Sequence, residues 1–365
     1  PYFSYLPNYE LTSNGYVFGT NTGTYYQGFE QTQVPNAAIT WEECMKVNVG
    51  LDINLLDHKL FMKADAFIEN NNNILIDNAN SGLLGASFWY PVGIVKNKGI
   101  EVDLKWEDNT GELYYFIHAN GTYVRNKIIE QKEQVRAYDW MERTGNPVGT
   151  QFGYVFDRYF TEEDDIGALP DQSLLGTVMP GDLKYVDLND DGVINENDQR
   201  AIGKSDVPET YFGMNAGLKY KGFSIEVLFQ GIANAEQYFN GGLVYEFIGG
   251  KGNVTTSHIG RWRTGDGQDA DYPRLGIQQV SNNRVKSDYW IRDISFIRLK
   301  TAKISYSFND NLVKNISWMN DFSIFLSGYN LFTWTKVVGM DPESAAKVDH
   351  YPISSYYTVG INLGF

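Results

Sequence analysis

Apolar and polar positions alternate strictly over long stretches of this chain. From Met45 to Leu55 the odd positions are Met45, Val47, Val49, Leu51, Ile53 and Leu55, and the even ones are Lys46, Asn48, Gly50, Asp52 and Asn54. A period of two sends successive side chains to opposite faces of a β-strand, so this segment has one apolar face and one wet face. Ile100, Val102, Leu104 and Trp106 alternate in the same way with Glu101, Asp103, Lys105 and Glu107. So do Tyr357, Val359, Ile361, Leu363 and Phe365 with Tyr356, Thr358, Gly360, Asn362 and Gly364. The pattern predicts nine strands, near residues 41–56, 59–76, 98–107, 113–127, 210–220, 223–236, 289–308, 321–335 and 355–365. In the seventh, Ile297 and Leu299 fall on one parity while Ile304, Tyr306 and Phe308 fall on the other. One extra residue near 301–303, a β-bulge, would absorb the slip.

The connections alternate in length. Residues 57–58, 109–111 and 221–222 are tight turns, with 309–320 a longer member of that set, whereas 77–97, 128–209, 237–288 and 336–354 are long. Short turns at one end and long loops at the other is the wiring of an outer-membrane β-barrel. A β-sandwich also alternates, but does not confine its long loops to one end. The expected fold is therefore all-β, a transmembrane antiparallel β-barrel. An outer-membrane barrel has an even strand count with both termini at the short-turn end. Nine strands, the first of which starts at the long-loop end, predict the C-terminal part of a larger barrel.

Composition sharpens this. The chain is 42% hydrophobic and 15% aromatic with 36 glycines, a mixture that suits strands joined by turns. A net charge of −15 repels phosphate backbones and anionic headgroups in general, which excludes a nucleic-acid binder. No apolar run approaches the roughly 18 residues of a transmembrane helix, which leaves strands as the only membrane-spanning option. One cysteine, Cys44, permits neither an internal disulfide nor a thiolate cluster.

Several segments resemble the SusC-like (SusC/RagA) TonB-dependent transporters of the Bacteroidetes outer membrane. They are Pro35-Asn36 with Thr40-Trp41-Glu42, Asn97-Lys98-Gly99-Ile100-Glu101, and Pro180-Gly181-Asp182-Leu183-Lys184-Tyr185 leading into Asp187-Leu188-Asn189-Asp190-Asp191-Gly192. Further along come Ile202-Gly203, Tyr220-Lys221-Gly222-Phe223, Phe229-Gln230-Gly231 and Tyr289-Trp290 with Arg298-Leu299-Lys300. The last are Asn330-Leu331-Phe332-Thr333-Trp334, Gly339-Met340-Asp341-Pro342-Glu343, and Gly360-Ile361-Asn362-Leu363-Gly364-Phe365. The resemblance implies a barrel of about 22 strands, of which this chain would supply the last nine, with the plug and the TonB-interacting segment in an N-terminal part not in this sequence. It further implies an outer-membrane location, a SusD-like lipoprotein lid, and TonB-dependent import of oligosaccharides or oligopeptides. On that plan residues 1–40, 128–209 and 237–288 are extracellular loop regions, the second carrying a cation loop. The alternatives are a structural or adhesive barrel and a soluble carbohydrate-binding sandwich.

The sharpest local signal lies at 187–198, where Asp187, Asn189 and Asp191 occupy positions 1, 3 and 5 of a calcium-loop spacing. Gly192 follows for the sharp turn, the Val193 carbonyl is next, Asn195 can act through water, and Asp198 closes the loop where glutamate is usual. Ca²⁺ is the expected cofactor; a metal-free turn is the alternative, because Asn, Asp and Gly are also turn formers. Glu162-Glu163-Asp164-Asp165, with Thr161 and Asp164 as a capping box, predicts the first turn of a helix rather than a catalytic acid pair. Gly265-Asp266-Gly267-Gln268-Asp269-Ala270 has no strand before it and is expected to be a polar loop. His58, His118, His258 and His350 are scattered and no nucleophile motif occurs, so no enzyme is expected. Trp41, Trp106, Trp334 and Tyr357 suit an interfacial girdle, and Lys46, Asn48, Asp52, Asn54, Glu101, Asp103 and Lys105 are expected to face the lumen. The stretches 238–252 and 281–290, rich in Tyr, Trp, Asn and Gly, are expected to meet the lid.

Overall fold

The computed structural model describes the chain except residues 1–4, 12–14, 18–24, 78–87, 243, 251, 309–318 and 345–352. Nine strands form one antiparallel sheet in sequence order. They are β1 (Glu43–Leu55), β2 (Leu60–Asp77), β3 (Trp89–Thr110), β4 (Leu113–Glu130), β5 (Thr210–Tyr220), β6 (Phe223–Ala233), β7 (Phe296–Ser307), β8 (Asp321–Thr335) and β9 (Tyr356–Gly364). The tight turns lie at one end as expected. Lys221 and Gly222 join β5 to β6 with φ of 47° and 85°, the left-handed pair that a two-residue hairpin needs to match strand twist. Most of 309–320, the fourth short connection, lies outside the described residues.

Register sorts the side chains as the alternation predicted. Asp52, Lys63, Asp103 and Asn120 stand in one row across β1 to β4, and Asn54, Phe61, Lys105 and His118 in the next. Lys46, Asn48 and Glu101 share that polar face. Asn48 donates to Asp65 at 2.9 Å, His118 and Asp103 lie 2.8 Å apart, and Asn215 donates to Glu226 at 3.1 Å. On the opposite face Val49 is 71% exposed, Val359 81% and Ile361 64%. A sandwich would cover such a face with a second sheet. Among the described residues the other sheets are two-stranded, and the apolar face is open.

The strand bounds differ from expectation where polarity disguises pairing. β3 starts at Trp89, nine residues before the alternating charges suggest, because Pro91 and Gly93 look like turn residues yet pair with Leu75 and Ile74 across irregular register. Phe88 is therefore a residue at the entry to a strand, and Trp89 and Tyr90 lie within it, instead of in a loop. Residues 289–295 leave the sheet: Asp288–Trp290 is a single 3₁₀ turn and Ile291–Asp293 pairs with Glu236–Tyr238. The bulge falls at Lys300, one residue before the expected stretch, since Leu228 pairs with Thr301 and Phe229 with Leu299.

Most of the buried core is not in the sheet, where Phe296 is a buried exception. Among the described residues it gathers Tyr154, Tyr159, Leu183, Tyr185 and Ile194 from the β4–β5 connection with Tyr245, Trp262, Tyr272 and Trp290 from the β6–β7 connection. Short strand pairs satisfy much of the backbone of these loops: Gln151–Tyr154 with Gln199–Gly203 and Phe156–Tyr159 with Leu183–Tyr185 in the first, and Glu236–Tyr238 with Ile291–Asp293 in the second. The two long connections thus fold together into one body at the long-loop end, which a sheet with one open apolar face and one wet face cannot itself supply.

Candidate functional site

Trp290 sits at the centre of the loop body, with the rings of Tyr245, Tyr272 and Tyr289 at 5.1, 5.5 and 4.8 Å. Its indole N–H donates to the Asn283 carbonyl at 2.7 Å. Around it runs a buried polar network between the two loops. Asn282 donates to the Leu183 carbonyl at 2.7 Å, the Leu183 N–H donates to the Asn283 side chain at 2.9 Å, and the Tyr185 N–H donates to Gln172 at 2.8 Å. Asp182, fully buried, accepts from Asn283 at 2.8 Å and pairs with Arg274 at 2.7 Å. Burial raises the Asp182 carboxyl above its ordinary value, and the Arg274 guanidinium opposes the rise. Each of these groups would be costly if left unpaired, so the network fixes how the loops meet.

This corrects one expectation. Asn282, Asn283 and Trp290 in 281–290, and Tyr245 and Glu246 in 238–252, are buried and hold the loops to each other, so they are not free to meet a lid. Apolar loop residues left open include Val135, Leu174, Val207, Ile259 and Ile277. Nothing in the local pattern separates the two sets, because which Asn or Trp is internal depends on contacts about a hundred residues away along the chain.

Residues 187–198 form a turn stitched by their own side chains. The Gly192 N–H donates to Asp187 Oδ2 at 2.8 Å and the Val193 N–H to Asp191 Oδ1 at 2.9 Å. Asn189 donates through its amide to Asp191 at 2.9 Å, and Asn195 donates to the Val193 carbonyl at 3.3 Å. Asp198 is buried and accepts from the Leu188 and Asn195 N–H groups at 2.8 Å each. Asp190 and Gly192 take φ of 55° and 82°, which gives the sharp reversal expected at that glycine. Ile194, fully buried, anchors the loop in the core, and Asp171 pairs with its backbone. Among the described residues no three His, Cys, Asp or Glu side chains gather as a metal cluster, so Asp187, Asp191 and Asp198 are not drawn into one triad. Asp187 Oδ1 is buried without a hydrogen-bond partner, an oxygen that suits a hard cation.

The acidic run at 162–165 starts no α-helix. Thr161 donates to Asp164 through N–H and hydroxyl at 2.7 and 3.1 Å as the capping pattern implies, but the chain then makes only the 3₁₀ turn Ile166–Ala168. Arg158 grips Asp164 with two bonds at 2.7 and 2.6 Å and holds that carboxyl well below the usual carboxylate range. Residues 265–270 are a polar loop, closed by Trp262 donating to the Gly267 carbonyl at 2.8 Å. His58, His118 and His258 lie apart in the turn after β1, on β4 and in the β6–β7 connection, and His350 is outside the described residues. Cys44 is exposed near the start of β1.

Two segments far apart in sequence meet at the top of β7. Arg298, 1% exposed, donates from Nη2 to both Asp341 oxygens at 2.8 and 2.7 Å, from Nε to Thr333 at 2.8 Å, and also to Glu343. This ties the chain after β8 down onto the sheet. The signal was present in sequence, as an arginine in one short motif and two acids in another, but nothing local joined them.

No family model matches the chain. It is similar to TonB-dependent receptor P3 of Formosa agariphila, 24% identical over 368 residues that span 93% of this chain and 36% of the relative. It is also similar to TonB-dependent receptor SusC of Bacteroides thetaiotaomicron, 25% identical over 386 residues that span 100% of this chain and 36% of that protein. Among solved structures, the RagAB peptide importer in its "open-open" state superposes with a TM-score of 0.74 at 22% identity, over 100% of this chain and 38% of that chain. The chain therefore spans little more than a third of the proteins it matches.

Proposed function

We propose that this chain, a SusC/RagA-like segment of an outer-membrane β-barrel, belongs to a TonB-dependent importer of oligosaccharides or oligopeptides. The observation that carries this is the alignment of TonB-dependent receptors over 93% and 100% of the chain. The wet face of β1 to β9 lines the path, and the loop body at the far end is the platform over which a SusD-like surface lipoprotein closes. Energy arrives from TonB through a part of the importer beyond this segment. Leu174, Ile259 and Ile277 are exposed on the long connections, and such a cover would take apolar side chains of this kind out of water. The experiment tags the full protein in its own outer membrane, recovers it in mild detergent, and compares growth of wild-type and deletion strains on oligosaccharides and on peptides. A co-purifying lipoprotein and loss of growth on one nutrient class are expected. A barrel recovered alone from a strain with unchanged growth on both would leave a structural or adhesive barrel.

We also propose that Asp187, Asn189, Asp191, the Val193 carbonyl and Asp198, with Asn195 through water, hold Ca²⁺. The unpartnered Asp187 oxygen supports it. Binding would draw the three carboxylates together and stiffen the β4–β5 connection around Ile194.

A further inference from the structure

We propose that the outward face of β3 and β4, at its long-loop end, binds the phosphate groups of a phosphorylated glycolipid in the outer leaflet. Along β3 the apolar face runs Trp106, Leu104, Val102 and Ile100 and then changes to Lys98 and Lys96. Along β4 it runs Ile117, Ala119, Gly121 and Tyr123 and then changes to Arg125 and Lys127. Register sets Lys98 opposite Arg125 and Lys96 opposite Lys127, a block of four cations two strands wide. Side chains paired across strands lie about 4.5–5.5 Å apart at Cβ, and like charges placed so repel. The protein relieves this only at Arg125, which pairs with Glu209 at 3.3 Å. Lys96, Lys98 and Lys127 have no ion pair among the described residues. A chain of net charge −15 has thus gathered cations in one place without supplying their counter-charge.

Position points to the source of the anion. Eight residues separate Trp106 from Lys98, about 27 Å along the strand. At a tilt near 45° this is about 19 Å across the membrane, against an apolar band about 25 Å tall. The block therefore stands at the outer boundary of that band, where a cation costs far less than at the midplane. The four cations line a cavity of about 560 Å³ together with Ile68, Asn126, Ile129, Gly145 and Pro147. Arginine and lysine suit phosphate, and Ile68, exposed beside Lys98 where the apolar face begins, suits an acyl chain. A free phosphate would use only the first half of the site. The inference rests on the barrel fold and is independent of what the importer carries.

The test is native mass spectrometry of the full protein from its own outer membrane, offered a phosphorylated glycolipid, the same glycolipid dephosphorylated, and inorganic phosphate as competitor. One phosphorylated glycolipid should be retained, with the dephosphorylated form at least about tenfold weaker. The triple variant Lys96→Gln, Lys98→Gln, Lys127→Gln should lose it while keeping heat-modifiable mobility, and the corresponding triple Lys→Arg variant should keep it. Equal retention of the two glycolipids, retention by the glutamine variant, or displacement by inorganic phosphate would each overturn the proposal. If the glutamine variant does not assemble, the two-glycolipid comparison on the wild-type protein still decides.

Discussion

Arg298 has almost no solvent exposure and two carboxylates within reach, so its charge is worth holding only while Asp341 and Glu343 stay docked. Taking one member from a buried ionic group leaves the others uncompensated, at a cost of about 3–5 kcal/mol. Arg298→Met is expected to release the segment after β8 without disassembling the sheet. Faster hydrogen exchange confined to residues 336–344, with the heat-modifiable barrel intact, is the expected readout; protection equal to wild type would mean the clamp is idle. Arg158 and Asp164 make a second, more exposed pair in the loops. Asp164's folded value is depressed, so its stabilisation is present above the ordinary carboxylate value near pH 3.9 and is lost as pH falls towards the depressed value. In an Arg158→Met variant the Asp164 carboxyl should titrate higher than in the wild type, with the Thr161 hydrogen bonds still holding it below its ordinary value, read by NMR on the labelled side chain.

At the scale of elements, glycine is used in strands for a purpose. On the polar face Phe67 lies over Gly99, Phe116 over Gly217 and Phe325 over Gly360, where an added Cβ would meet the ring at 2.7, 2.3 and 2.3 Å. The ring covers a backbone that glycine leaves bare, and Lys46 and Lys303 cap two of these rings at 4.7 and 4.9 Å. Gly360→Val should cost about 1–3 kcal/mol by overpacking. Most of it should return in the double variant with Phe325→Ala, as measured by urea unfolding in lipid; additive losses would show the contact is not the cause. The bulge at Lys300 has a similar positional logic. It keeps Arg298 on the polar face with Lys303, and without it a one-residue slip would turn Arg298 outward. The 187–198 loop belongs here too. Added Ca²⁺ should protect the β4–β5 connection from proteolysis and Asp187→Asn should abolish that protection, whereas protection unchanged by Ca²⁺ or chelator would leave a metal-free turn.

Seen as a whole molecule, the chain divides its stabilising interactions between two environments. The sheet exposes Val49, Val359 and Ile361 and relies on lipid to cover them, while the loops bury their aromatics against one another in water. These should fail separately. Asn282→Ala removes an amide that serves both Leu183 and Gln172, and leaving buried partners unsatisfied costs about 1–3 kcal/mol. It is expected to loosen the loop body, seen as lost near-ultraviolet dichroism from Trp290, at temperatures where the barrel still migrates folded. Simultaneous loss of both would mean that loops and sheet form a single cooperative unit.

The sequence by itself determined the sheet, because a period of two is a local property: each strand records which side chain faces lipid and which faces the polar interior, and turn chemistry such as Lys221-Gly222 sets the register. It located the 187–198 turn for the same reason, since the side-chain hydrogen bonds of Asp187, Asp191 and Asp198 that shape it span at most ten residues. Strand ends at Trp89 and Phe296 were less legible, because proline, glycine and bulges there carry turn-like residues inside paired backbone. Only the tertiary structure decided that Trp290, Asn282 and Asp182 are internal, that Arg298 meets Asp341, and that Lys96, Lys98, Arg125 and Lys127 share one outward block. The physical reason is that burial and counter-charge are relations between distant segments, and a side chain's partner is fixed by where the loops close, not by its neighbours in the chain.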